Sequence, residues 1–182
     1  ILSTQHPEHG GYVYFTPARP QHYRVYSKPN EAMWCCVGTG MENHGKYGEF
    51  IYSHDVNSLF VNLFIASELD WKEKGVHMRQ ETKFPDEPKT VITFLSNKPF
   101  ELTLKIRHPS WVPDGQLKLK LNNEDIASES KSSSYAEITR KWQKGDRLEV
   151  SLPMHTTIEA MPNVPDYVAF LYGPIVLGAK TG

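Results

Sequence analysis

From about residue 57 onward the chain alternates apolar and polar residues in short runs between turn signals. This period of two narrows the possible folds more than any other feature. In residues 100–107, Phe100, Leu102, Leu104 and Ile106 share one face, with Glu101, Thr103, Lys105 and Arg107 between them. Successive strand side chains point to opposite faces, so such a run is a half-buried strand. Leu117, Leu119 and Leu121 alternate with Lys118 and Lys120 before Asn122-Asn123, a tight-turn pair. Residues 135–139 lead toward Trp142, and Lys144-Gly145-Asp146 turns into the alternating Leu148, Val150 and Leu152. Residues 76–82 and 90–94 read as further strands. Residues 59–69 are apolar on both faces in their middle (Phe60, Val61, Leu63, Phe64, Ile65), which predicts one central strand. Residues 167–177, interrupted by Gly173-Pro174, close the set. Many short strands with frequent turns predict a mainly β fold, an antiparallel, jelly-roll-like β-sandwich. Trp71, Trp111 and Trp142 are expected to anchor it. The Lys118/Lys120 alternation reads as a solvated sheet face, and residues 128–134, rich in Ser, as a solvated loop.

Size and composition bound the function. The 182 residues make one domain, or one domain with part of a neighbour. At 39% hydrophobic and 12% aromatic residues the chain can bury a core. A formal net charge of −1 provides no global basic field for nucleic acid or an anionic membrane. The apolar stretches, such as 168–171, are too short for a transmembrane helix. The chain opens Ile1-Leu2-Ser3-Thr4, with neither Met nor an export signal, and is read as a piece of a longer protein cut at both ends.

Residues 1–56 differ in character, being rich in Gly, Pro, His and Tyr. Residues 11–16 are a strand candidate ended by Pro17, and 21–28 a second one. Thr39 followed by Glu42 is a capping box, which predicts a helix beginning there and ending near residues 53–55. Met41, Tyr47 and Ile51, with His44 and Phe50, are its expected buried side. Gly45 and Gly48 suggest close packing against another backbone.

Both cysteines of the chain are adjacent, Cys35-Cys36. Neighbours make a strained disulfide, so two free thiols are expected. Just before a helix N-terminus, partial positive charge favours thiolate. A thiolate is a nucleophile, a metal ligand or both. Zinc needs four ligands, and Glu31, Glu42 and His44 are nearby candidates at no distinctive spacing. From spacing alone, reactive thiols and two buried structural thiols both stand. His6-Pro7-Glu8-His9 is a metal candidate that reads more simply as a polar loop. Glu42-Asn43-His44 either faces a polar pocket or is an ordinary first helical turn. Trp34 either walls a pocket or packs. Tyr14 either stacks on a sugar or fills a core. A thiol redox protein would need Cys-x-x-Cys on a βαβ pattern, and neither is present.

The string 34–48, Trp-Cys-Cys-Val-Gly-Thr-Gly-Met-Glu-Asn-His-Gly-Lys-Tyr-Gly, resembles the Cys-Cys segment of the β-L-arabinofuranosidase group of glycoside hydrolases, family 127 and its relative family 146. Gly11 to Pro17, Arg19-Pro20, Pro109-Ser110-Trp111, residues 142–146 and residues 172–177 fit the same group. The resemblance implies that residues 1–56 are the last part of a catalytic (α/α)6 barrel and carry one helix. Residues 57–182 would then be a β-sandwich, truncated at its C-terminus. It implies that Cys35 is the nucleophile and a zinc ligand, that Cys36 is a zinc ligand, and that Tyr14 contacts the sugar. A Glu and a further Cys would complete the zinc site and another Glu would be the acid/base, all outside this chain. The implied substrate is a plant or microbial glycan bearing arabinofuranose, handled by a retaining mechanism, and the implied partner is the rest of the barrel. A secreted or periplasmic setting follows by analogy. The isolated chain is expected to be inactive and to hold zinc weakly or not at all. The rival expectation is a noncatalytic β-sandwich that binds glycans or braces a neighbouring domain.

Overall fold

The computed structural model describes residues 5–15 and 22–178. The expected ends of the first two strands (Thr16, Pro17, Gln21) and Arg19-Pro20 lie outside the described residues. The chain divides into two compact units, 1–50 and 51–182. No helix among the described residues is long and apolar enough to cross a membrane.

The second unit is built around two facing sheets. The first holds β1 (Tyr52–His54), β2 (Ser58–Val61), β6 (Phe100–His108) and β9 (Ser134–Trp142), in that order. The second holds β3 (Ser67–Trp71), β4 (Val76–Thr82), β5 (Lys89–Phe94), β10 (Arg147–Ser151), β7 (Lys118–Leu121) and β8 (Glu124–Ile126), in that order. Within these two sheets all pairings are antiparallel except β2 with β6, which run parallel. Leu59, Val61, Leu102, Leu104, Ile106, Ala136 and Ile138 of the first sheet join Val76, Met78, Ile92, Phe94, Leu119, Leu148 and Val150 of the second in one buried core. Leu102, Leu104, Ile106, Leu119, Leu148 and Val150 are alternate positions the sequence marked. Trp142 is fully buried, and Trp71 and Trp111 pack at the core's margin. The mainly β, sandwich-forming fold is thus observed.

Residues 59–69 do not form one strand. The run divides into β2 and β3, which belong to opposite sheets. The crossing segment is pinned from the side: the buried Gln80 donates through Nε2 to the carbonyls of Leu63 (3.0 Å) and Ile65 (2.7 Å), while Phe64 turns into the core. A segment that passes between two sheets is apolar on both faces for that reason, and a pattern reading takes it for a central strand. Asn122 and Asn123 both take positive φ, 51° and 72°, as the tight β7–β8 hairpin turn requires.

Residues 167–177 also depart from expectation. They do not complete the sandwich. β11 (Thr156–Met161), β12 (Val164–Tyr172) and β13 (Ile175–Leu177) form a separate three-stranded antiparallel sheet. Its residues are largely exposed on both faces, Ile158, Phe170 and Val176 among them, because no other described element covers either face.

In the first unit, residues 11–15 and 22–28 form isolated bridges, Gln5 with Tyr12 and Val13 with Tyr26, rather than the two expected strands. The helix α1 spans Cys35–Ile51. It starts four residues before the expected capping box. Thr39 does not cap: its hydroxyl donates back to the Cys35 carbonyl at 3.3 Å, one turn earlier. The expected buried side is also only partly right. Ile51 is buried, but Met41, Tyr47 and Phe50 are exposed, and Val37 and Gly40 face inward instead.

Candidate functional site

The thiol pair opens α1. Trp34 precedes it, and its carbonyl accepts from the Val37 amide at 2.9 Å, starting the first turn. Cys35 and Cys36 are therefore the first two helical residues rather than residues in front of the helix. The approach is a tight one. Asn30 and Ala32 both have positive φ, 61° and 54°, and the Trp34 amide donates to the Ala32 carbonyl at 2.9 Å. The helix's first turn holds no acidic side chain. Its unpaired amide ends leave partial positive charge beside the sulfurs.

Both cysteines are free; Cys35 is exposed and Cys36 half-buried. Their Sγ atoms lie 3.8 Å apart, within hydrogen-bonding reach of each other. The Cys35 sulfur, chiefly as hydrogen-bond partner, holds the Cys36 thiol above its ordinary pKa; burial and like-charge repulsion add to this, and backbone hydrogen bonding opposes it.

The other candidates fall in different places. Tyr14 is 45% exposed, and its ring meets Trp34 edge-on with centroids 6.2 Å apart, which brings it to the residue adjoining Cys35. Phe15 stacks against Tyr14 from the side, at 4.6 Å. Glu31 and Glu42 are exposed, and His44 is engaged by Tyr12 at 2.6 Å. Among the described residues no three His, Cys, Asp or Glu side chains gather into a metal cluster. His6 and His9 stack face to face at 3.7 Å. His6 Nδ1 accepts from the Glu8 amide, and His9 Nδ1 from the Gly11 amide. These rings build a turn, in keeping with the polar-loop reading.

Sequence reasoning missed Tyr12, Ser27, Gly11 and Gly40. Tyr12 and Ser27, both buried, bond reciprocally: the Tyr12 amide donates to Ser27 Oγ (3.0 Å), and the Ser27 amide to the Tyr12 carbonyl (2.8 Å). A side chain at Gly11 would collide with the Ser27 carbonyl oxygen. A side chain at Gly40 would start 2.7 Å from the Tyr12 ring. Among the described residues the expected close approach at Gly45 and Gly48 is absent, since none of their atoms lies within 4 Å of a Cβ built there. A glycine inside a helix was the right kind of signal, read at the wrong positions.

Comparison with known proteins adds the following. Residues 1–49 match the model of the GH127 β-L-arabinofuranosidase catalytic domain, and residues 58–154 match that of the GH127 middle domain. No curated protein matches the chain. A solved glycoside hydrolase is 25% identical, with a TM-score of 0.74 over 91% of this chain and 30% of its own. A GH127 β-L-arabinofuranosidase from Geobacillus stearothermophilus T6 is 23% identical, with a TM-score of 0.81 over 96% of this chain and 30% of its own. A GH127 β-arabinofuranosidase is 22% identical, with a TM-score of 0.69 over 86% of this chain and 27% of its own. The chain therefore spans under a third of the length of these structures. With one family model covering more than half of its residues and a second covering the segment that holds the thiol pair, the chain belongs to the GH127 β-L-arabinofuranosidase family.

Proposed function

We propose that residues 1–50 carry the nucleophile end of the active site of a retaining β-L-arabinofuranosidase-type glycoside hydrolase, with Cys35 as the nucleophile. The observation that carries this is an exposed sulfur in the first turn of a helix, with a second thiol 3.8 Å away. Retention needs a nucleophile on one face of the anomeric carbon and a proton donor on the other. The Cys35 thiolate attacks that carbon, and the leaving oxygen takes a proton from a carboxylic acid elsewhere in the longer enzyme. Water, deprotonated by the same carboxylate, then displaces Cys35 and restores the configuration. Tyr14, turned edge-on to Trp34, offers its exposed ring to the sugar beside the sulfur.

The residues present fit half of a zinc site. Two thiolates on a tetrahedral zinc, each with a bond of about 2.3 Å, stand roughly 3.8 Å apart. That is the spacing the two sulfurs already have. Cys35 and Cys36 would hold the metal, with a Glu and a Cys from outside the described residues completing the set. Bound there, zinc keeps sulfur deprotonated and tempers it as a leaving group. The remainder of the barrel is the partner this reading requires, and a glycan bearing arabinofuranose is the substrate.

The test is Cys35→Ser in the full-length hydrolase, assayed on an aryl β-L-arabinofuranoside. A lost nucleophile lowers kcat by about a thousandfold or more. A slow substrate should also leave one pentosyl unit of added mass on the peptide containing Cys35. Undiminished turnover in the serine variant overturns the assignment.

A further inference from the structure

We infer that Tyr12 is a positioning residue for the thiol pair, acting through Gly40 and His44 of α1. This rests on the reading of Cys35 and Cys36 as a working pair. Tyr12 is 5% exposed, yet it belongs to a segment with no regular secondary structure. Such a segment is held by specific contacts or not at all. Its backbone is clamped to Ser27 by two reciprocal hydrogen bonds, at a site that only glycine at position 11 leaves open. From that clamp the Tyr12 ring reaches the helix and lies over Gly40, where a Cβ would sit 2.7 Å away. The hydroxyl ends 2.6 Å from His44 Nε2 and 3.4 Å from the Gly40 carbonyl.

The placement along α1 matters. Gly40 lies one turn after Cys36, and His44 one turn after Gly40, so Cys36, Gly40 and His44 share one face of the helix. The carbonyl of Cys36 is the helical partner of the Gly40 amide. Helix first turns fray, because their amides have no partner in the preceding turn. Here the turn that follows the opening one is backed, at Gly40, by a buried aromatic ring anchored outside the helix. The ring sets the rotation of the helix about its axis, and the hydroxyl sets its position along it. Both decide where two sulfurs on adjacent residues point.

A trivalent arsenical reads that geometry directly. Phenylarsine oxide condenses with two thiols, forming two As–S bonds and releasing water, whereas iodoacetamide alkylates one thiol at a time. In the 182-residue chain, tight capture of the arsenical should require both Cys35 and Cys36. In Tyr12→Phe, which keeps the ring on Gly40, release should be about five- to tenfold faster, the equivalent of one ordinary hydrogen bond. Iodoacetamide alkylation should stay within about twofold, since an exposed single thiol needs no alignment. His44→Phe should behave like Tyr12→Phe. His44→Gln, whose amide can either donate or accept, should restore most of the wild-type behaviour. The inference is overturned if Tyr12→Phe and His44→Phe release the arsenical at the wild-type rate, and the reading of the thiol pair survives that result. It is also overturned if alkylation accelerates as much as release does, which marks general fraying of the helix. If the wild type holds the arsenical no better than Cys36→Ser, the pair reading fails first, and this inference with it.

Discussion

Replacing Trp142 tests the packing of the sandwich. Its indole is fully buried, stacked on Phe94 with centroids 4.3 Å apart, and its Nε1 donates to the Leu102 carbonyl at 3.0 Å. It thus ties β9 to β6 within one sheet by a hydrogen bond and meets β5 of the other by stacking. A buried Trp removes roughly 200 Å² from water, worth about 5 kcal/mol at ~25 cal/mol per Å² as an upper bound. Measured Trp→Ala losses of about 3–5 kcal/mol agree with this scale. Trp142→Phe keeps an aromatic face toward Phe94 and loses the indole N–H, for a loss of about 1–2 kcal/mol. In a chain of this length each kcal/mol moves Tm by about 2–4 °C. Thermal unfolding followed by circular dichroism should therefore show drops of roughly 6–20 °C for Trp142→Ala and only about 2–8 °C for Trp142→Phe. If the two variants melt together, the stack contributes nothing separable and the account of the core is wrong. If the alanine variant loses less than about 1 kcal/mol, Trp142 is not an anchor at all.

Gly11→Ala should release the Tyr12–Ser27 clamp, because the added methyl meets the Ser27 carbonyl oxygen; limited proteolysis should then cut residues 5–30 faster while leaving the sandwich core intact. Glu68 is held below the ordinary glutamate pKa, first by its hydrogen bond from His77 and then by Arg79. A depressed folded value stabilises above the unfolded pKa and loses that contribution as pH falls through the folded one, so Glu68→Gln should flatten the stability–pH curve only below the ordinary glutamate value; an unchanged acid limb counts against the ion pair. Dialysed against zinc-free buffer, the 182-residue chain should retain well under one equivalent of zinc, since the described residues hold no cluster of three ligands. Stoichiometric zinc by elemental analysis would show that further donors lie within the chain.

The parts of the structure that were legible in the sequence are those in which local pattern and burial agree. β6 and β9 pair across nine positions, and their alternate residues lie in the core as the period of two requires. The Asn122-Asn123 turn was legible because positive φ at two successive residues selects asparagine or glycine. The thiol pair was legible as two unbridged sulfurs, because neighbouring cysteines make a strained disulfide. The start of α1 was not. Thr39 and Glu42 have the spacing of a cap, but the helix had already been started by the Trp34 carbonyl, and the Thr39 hydroxyl turned back to Cys35.

The sequence by itself determined that strands such as β6 and β10 have one apolar face, that a helix runs toward Ile51, and that the two sulfurs are not bridged. Periodicity, turn chemistry and disulfide geometry are properties of a few neighbouring residues, so they need no knowledge of the rest. Only the tertiary structure decided that residues 59–69 cross from one sheet to the other, that residues 156–177 stand as a sheet of their own, and that Tyr12 reaches Gly40 and His44. Each of these depends on which residues far apart in sequence share a space. Tyr12 and His44 are separated by 32 positions, and no local pattern records that a ring from one fills the gap left by a missing side chain beside the other.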